Sequence, residues 1–159
     1  MTADVFLNPG EYFVGDRRHR VRTLLGSCVS ITLWDPVLRV GAMSHFLLAA
    51  RASAPSAALD ARYAVDAFAL MLAGLSRHGV PAHRCEAKIF GGGQMFAAQG
   101  VFGDVGQRNG ETALRLLDEA GIVVRSQSLF GAGHRRILFD IGSGHVWSCQ
   151  VRPADMADA

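Results

Sequence analysis

The chain has 159 residues, of which 50% are hydrophobic and 19% are charged, and its formal net charge is +2 at pH 7. This length and composition exclude a disordered or fibrous chain and favour one globular domain spanning residues 1–159. They also exclude nucleic-acid binding by charge alone, because the basic clusters at 17–20 and 134–136 are short and contain no interleaved aromatic residues. We interpret both clusters as solvated loops or strand ends, with docking of an acidic partner as the alternative.

We expect a cytoplasmic protein with no membrane insertion. No apolar run approaches the ~18 residues of a membrane helix, and the segment MTADVFLNPGEYFV lacks the basic and apolar regions of a secretory signal. The three cysteines, Cys28, Cys85 and Cys149, are widely spaced and form no Cys-x-x-Cys pair. This spacing argues against a disulfide framework and against a zinc site, so we expect three free thiols and no metal.

The N-terminal half is predicted to form β-structure. Residues 19–49 are rich in β-branched and aromatic side chains and are interrupted once, at Asp35-Pro36, which predicts two strands joined by a turn. Cys28 then lies in or beside the first strand and His45 in the second.

The pattern changes to helical spacing after Asp60 and predicts an amphipathic helix of about five turns that ends near Gly79. The apolar residues of its predicted buried face are Val65, Phe68, Ala69, Leu72 and Leu75. A short strand at 86–90 follows, and then Asn109 is predicted to cap a second helix over 111–120.

The last part of the chain is predicted to return to strands. Residues 122–129 form one strand, and residues 135–151 form a hairpin whose turn contains Gly142 and Gly144. This order of elements predicts an α+β fold with a largely antiparallel sheet rather than a doubly wound nucleotide-binding fold.

Cys28 and His45 are the candidate catalytic pair. A thiol with an ordinary pKa is only a few per cent thiolate at neutral pH, so a nucleophilic cysteine needs a base such as His45 on the neighbouring strand. Gly26 and Ser27 are small enough to let backbone N–H groups approach the sulfur and hold an oxyanion. The pattern alone leaves the alternatives open, because a lone cysteine is often core filler and a lone histidine is often hydrogen-bonded at a sheet face.

Two other motifs predict structure rather than chemistry. The run Gly91–Gly93 follows a strand but lacks the lysine and serine of a phosphate loop, so it is expected to let a loop pass close to other backbone beside Cys28. The trio His78, His83 and Cys85 matches no metal-binding spacing.

Five segments in chain order resemble the successive signature segments of the CheD family of chemoreceptor glutamine deamidases: TLLGSCVSITLWDP, VGAMSHFLL, AKIFGGGQMF, VGQRN and FDIGSGHVW. The resemblance runs from about Pro9 to Val151. It implies packed β-sheets with helices outside, similar to the cysteine-hydrolase fold of a deamidating toxin. It also implies a catalytic cysteine, histidine and threonine, which match Cys28, His45 and Thr23, although a rigid count of residues places Arg22 at the third position.

The resemblance further implies a reaction and its partners. Specific glutamines on the cytoplasmic helices of methyl-accepting chemotaxis receptors would be hydrolysed to glutamate through a cysteine thioester, with no cofactor, as part of adaptation in bacterial chemotaxis. An alternative is a non-enzymatic adaptor that binds and stimulates a CheC-type phosphatase. A third reading is a cysteine hydrolase of small amides.

Overall fold

Strands dominate the computed structural model, which describes residues 2–51, 58–95 and 105–151. The strands are β1 (Ala3–Phe6), β2 (Tyr12–Asp16), β3 (His19–Leu25), β4 (Val29–Asp35), β5 (Val40–Ser44), β6 (Glu86–Gly91), β7 (Val123–Leu129), β8 (His134–Asp140) and β9 (Val146–Val151). The helices are α1 (Ala64–Arg77), α2 (Val105–Glu119) and a short 3₁₀ helix at Ala82–Arg84. No helix within these ranges is both long and apolar enough to cross a bilayer.

The strands form two sheets, one in the order β1-β3-β8-β9 and the other in the order β2-β5-β4-β6-β7. Only the β1/β3 and β6/β7 pairs are parallel among the strand pairs of the described residues. The predicted α+β class with largely antiparallel pairing is therefore confirmed, and β8 and β9 form the predicted hairpin.

The two sheets and the helices form three layers, and β4 is buried on both of its faces. Val29, Ile31 and Leu33 face the core shared with α1 and α2. On the opposite face, Cys28 and Trp34 pack against a second core that lies between the sheets. The polar residues Ser30 and Thr32 on this face are buried as well, so the alternation along β4 resembles that of a strand with one solvated face.

The predicted pair of strands over residues 19–49 is wrong, since the structure has three strands there. The chain leaves the first sheet after Leu25, passes through residues 26–28 and enters the second sheet at Val29. Leu25 and Val29 are both fully buried. The change of sheet therefore leaves the hydrophobic pattern unbroken and gives no local signal.

The predicted α1 is one turn too long, and part of its predicted buried face is wrong. The helix has 14 residues, about four turns, and Val65 is 45% exposed. Its buried apolar stripe is Ala64, Ala67, Phe68, Met71, Gly74 and Leu75. A Cβ at Gly74 would meet Val14 of β2, so the small residues of this stripe let the helix lie close to the second sheet. Val65 and Ala69, which the helical spacing predicts to be buried, lie on the exposed side of the helix.

The second helix and the second basic cluster also differ from expectation. Asn109 is not an N-cap: it lies within α2 and is 1% exposed. Arg135 is not solvated, because its guanidinium is buried and donates to Ser128 Oγ (3.1 Å), Gly91 O (3.3 Å) and Phe130 O (2.5 Å). Burial lowers the pKa of this guanidinium, and the three acceptors replace its hydration.

Candidate active site

Cys28 lies at the end of the link between the two sheets. The next residue, Val29, exchanges two backbone hydrogen bonds of 3.1 Å with Phe46, so the chain beside Cys28 is held against the chain beside His45. The Cys28 side chain is partly exposed and contacts the core between the sheets. Burial raises the pKa of its thiol, which is therefore protonated at neutral pH.

The carbonyl groups of the link between the two sheets, residues 26–28, all accept hydrogen bonds from the glycine-rich loop or from α2. Gly26 O accepts from Gly93 N (2.9 Å), Ser27 O from Asn109 Nδ2 (3.0 Å) and Cys28 O from Gly92 N (2.9 Å). The backbone N–H groups of residues 26–28 donate to no backbone carbonyl among the described residues, and the N–H of Cys28 lies within reach of its own sulfur. They form a set of free donors next to the thiol, as an oxyanion site requires.

The glycine-rich loop packs against this link as the sequence predicted. Gly91 has φ +112°, and a methyl group on its Cα would overlap the carbonyl oxygen of Cys28. Gly93 is confined between the carbonyl oxygens of Gly133 and Gly26. Glycine is required at these positions because side chains would push the loop off the backbone that it braces.

His45 follows β5 and is held by the N-terminal segment. The backbone N–H of His45 donates to Glu11 O (3.1 Å), and its backbone carbonyl accepts from Gly10 N (2.8 Å). The side chain is 2% exposed. Burial lowers the pKa of His45 to about 4, partly opposed by the charge of Glu11 and by the Leu7 carbonyl. The imidazole is therefore neutral near pH 7, and its burial makes it a weaker base than an exposed imidazole.

Thr23 joins the two sheets at His45. Its hydroxyl is buried, donates to Leu7 O (2.8 Å) and lies 2.6 Å from His45 Nδ1. The hydroxyl has one hydrogen, and the Leu7 carbonyl can only accept. With that hydrogen on the Leu7 carbonyl, the threonine oxygen accepts from Nδ1–H and the lone pair lies on Nε2; in the other tautomer the hydroxyl donates to Nδ1, so the tautomer sets the direction of this bond.

Arg22 is directed to the other face of β3. Its side chain is 54% exposed and lies 3.8 Å from the carboxylate of Asp4. The alternation of side chains along the strand thus turns Thr23, and not Arg22, towards His45.

Cys28 and His45 lie on the same face of the second sheet. Val29 and Phe46 are paired and both belong to the helix-side core, so their neighbours Cys28 and His45 are directed towards the first sheet. Within the described residues, the hydrogen bonds of the His45 side chain run to the Thr23 side, and none joins it to the thiol. The arrangement is a neutral thiol beside a neutral imidazole.

Three participants were missed by sequence reasoning. They are the Leu7 carbonyl, the Glu11 carboxylate and the Asn109 amide. The turn-forming residues Asn8-Pro9-Gly10 indicate a loop, but nothing in the sequence shows that this loop reaches His45. Asn109 had a usable signal, since a helix with a polar residue on its apolar stripe requires a buried partner for it.

Comparison with known proteins identifies similar chains. The family model described as CheD chemotactic sensory transduction matches residues 47–150, a range that begins just after His45. A protein of Albidiferax ferrireducens named "Probable chemoreceptor glutamine deamidase CheD 2" is 60% identical over 153 residues, which cover 94% of this chain and 88% of that protein.

Two further relatives extend over most of this chain, including both candidate catalytic segments. "Probable chemoreceptor glutamine deamidase CheD 3" of Dechloromonas aromatica is 42% identical, covering 96% of this chain and 90% of its own length. "Probable chemoreceptor glutamine deamidase CheD 1" of Chromobacterium violaceum is 39% identical, with 98% and 81% covered.

Proposed function

Since this chain belongs to the CheD family, we propose that it is a chemoreceptor glutamine deamidase with Cys28 as nucleophile. The observation that carries the proposal is the contact between Thr23 and His45 Nδ1, because it leaves Nε2 of a neutral imidazole free on the face that also carries Cys28. A protonated thiol requires such a base before it can attack an amide.

In the first half of the reaction, His45 Nε2 takes the thiol proton while Cys28 Sγ attacks the carboxamide carbon of a receptor glutamine. Free N–H groups of the 26–28 link donate to the oxygen that becomes negatively charged. The imidazolium then protonates the departing nitrogen, the C–N bond breaks, and ammonia leaves behind a thioester.

In the second half, His45 takes a proton from water, and the resulting hydroxide attacks the thioester carbon. The C–S bond breaks, the thiolate regains its proton from the imidazolium, and glutamate is released. The balance is one water consumed and one ammonia formed for each glutamine. Thr23 holds Nδ1–H throughout, so the ring keeps Nε2 directed to the reacting groups.

The proposed substrate is a side chain on the cytoplasmic helices of methyl-accepting receptors. Converting glutamine to glutamate adds one negative charge to a helical bundle, which changes the balance between its conformations. The CheC-type phosphatase partner stays a prediction, and no contact among the described residues favours an adaptor role over catalysis.

Mass spectrometry of receptor cytoplasmic fragments tests the proposal. Wild-type protein is expected to produce a ~1 Da increase at specific glutamines, and Cys28→Ala is expected to abolish it, because the thiol forms the covalent intermediate. Cys149→Ser is the matched control, since it removes an exposed thiol on β9, an edge strand of the first sheet. Deamidation by Cys28→Ala at the wild-type rate would rule out the proposed nucleophile.

A further inference from the structure

The side chain of Asn109 bridges two segments of the chain, one next to Cys28 and the other next to His45. From the buried side of α2, its amide nitrogen donates to Ser27 O (3.0 Å) and to Leu47 O (2.8 Å). One acceptor directly precedes Cys28, and the other lies two residues after His45. Both acceptors are carbonyl oxygens, so the amide must present its nitrogen, and both of its hydrogens are used.

The amide replaces a strand pairing that ends at this point. The backbone bonds between β4 and the segment after β5 stop at Val29 and Phe46, and the N–H groups of Leu47 and Leu48 turn instead to Arg62 O (2.9 and 3.2 Å). The two chains therefore diverge, and the carbonyls of Ser27 and Leu47, which are both acceptors, need a donor from elsewhere. A donor with two hydrogens, placed between them, sets their separation.

The bond to Ser27 also determines the direction of the Cys28 N–H. A trans peptide is planar, and its C=O and N–H point in opposite directions. Because the Ser27 carbonyl is directed to α2, the N–H of Cys28 is directed away from it, donates to no backbone carbonyl in the described part of the chain, and lies on the side of its own sulfur. Rotation of this peptide would remove the donor closest to the thiol.

We propose that Asn109 is a positioning residue that orients the Ser27-Cys28 peptide so that the Cys28 N–H donates to the oxyanion. This inference rests on the proposed deamidase function. It predicts that loss of the amide slows acylation and leaves substrate binding and the thiol itself intact.

Asn109→Ala and Asn109→Ser test the proposal, with Gln107→Ala as control. Gln107 is an exposed amide on the same helix and bonds only to Glu111 Oε1 (2.8 Å) among the described residues. Folding is checked by thermal unfolding and circular dichroism. Deamidation is measured as kcat and KM on receptor fragments, and alkylation of Cys28 by iodoacetamide is measured at pH 9 in a Cys149→Ser background.

We expect Asn109→Ala to lower kcat by about 10²-fold with KM within about twofold, as for a misplaced reacting group. Alkylation should stay within about twofold of wild type, because displacement of iodide forms no oxyanion. Asn109→Ser should retain part of the wild-type kcat, and Gln107→Ala should retain all of it.

Three results would overturn the inference: unchanged kcat in Asn109→Ala, an equal loss of alkylation and deamidation, or failure of both Asn109 variants to fold. Failure of the proposed deamidase function can be distinguished from failure of this inference, because in that case the wild-type protein itself would release no ammonia from receptor fragments.

Discussion

The hydroxyl of Thr23 lies 2.6 Å from Nδ1 of His45, and this contact joins the first sheet to the second. Thr23 is on β3, whereas His45 follows β5, and each residue is buried. The state of the imidazole therefore depends on how the two sheets pack, and this dependence leads to the following predictions.

Replacing Thr23 by valine keeps the shape of the side chain and removes the hydroxyl. We expect kcat to fall on the order of 10²-fold, because His45 loses the group that holds Nδ1–H and with it the correct tautomer for general base catalysis. Thr23→Ser, which keeps the hydroxyl, is the control. Ammonia release measures the rate, and ¹⁵N chemical shifts report the His45 tautomer. Equal activity of the valine and serine variants would contradict the assigned role.

Stability should depend on pH through His45. Its folded pKa of about 4 lies below the ordinary 6.5, so between these values the unfolded chain binds more protons. The free energy of unfolding therefore decreases as pH falls through this window, by up to about 1.4 kcal/mol per pH unit. Urea unfolding of wild type and His45→Gln at several pH values measures the difference.

His83→Gln, which removes an exposed histidine, controls for the loss of any one histidine. The wild-type slope should persist in this variant and decrease in His45→Gln. Parallel curves for wild type and His45→Gln would show that His45 is not buried in its neutral form.

A methyl group at Gly91 should destabilise the protein more than one at Gly121. Both glycines have positive φ, +112° and +69°, but a Cβ at Gly91 would meet the Cys28 carbonyl, whereas a Cβ at Gly121 would lie in open space. Overpacking should make Gly91→Ala about 1–3 kcal/mol less stable than Gly121→Ala. Chemical denaturation compares the two, and similar midpoints would contradict the close approach.

The thiol of Cys28 should lose its proton only at high pH. Burial raises its pKa, so in a Cys149→Ser background iodoacetamide should react slowly at pH 7 and faster only above the ordinary value of 9.0. The pH dependence of alkylation, followed by intact mass, gives the midpoint. A midpoint below 7 would instead indicate a thiolate already paired with imidazolium at rest.

Much of the local structure could be predicted from residue patterns. The strands at β6 and β7 and the β8/β9 hairpin were predicted from short-range periodicity and turn glycines, which depend on neighbouring residues alone. Errors occurred where one sequence pattern permits two structures. The apolar run around Gly26 continues through a change of sheet, and the polar Asn109 resembles a cap because its buried acceptors are distant in the chain.

The sequence by itself determined the types of the elements after residue 60, the resemblance to a family and the choice of Cys28 and His45 as candidates, but not the strands β1 and β2 or the division of residues 19–49 into three strands. Only the tertiary structure shows that Thr23, and not Arg22, contacts His45, because the two residues adjoin each other on β3 and face opposite sides of it. It also brought Leu7 and Asn109 to the site. The physical reason is that hydrogen bonds between distant segments depend on strand register and sheet packing, which residue order alone does not specify.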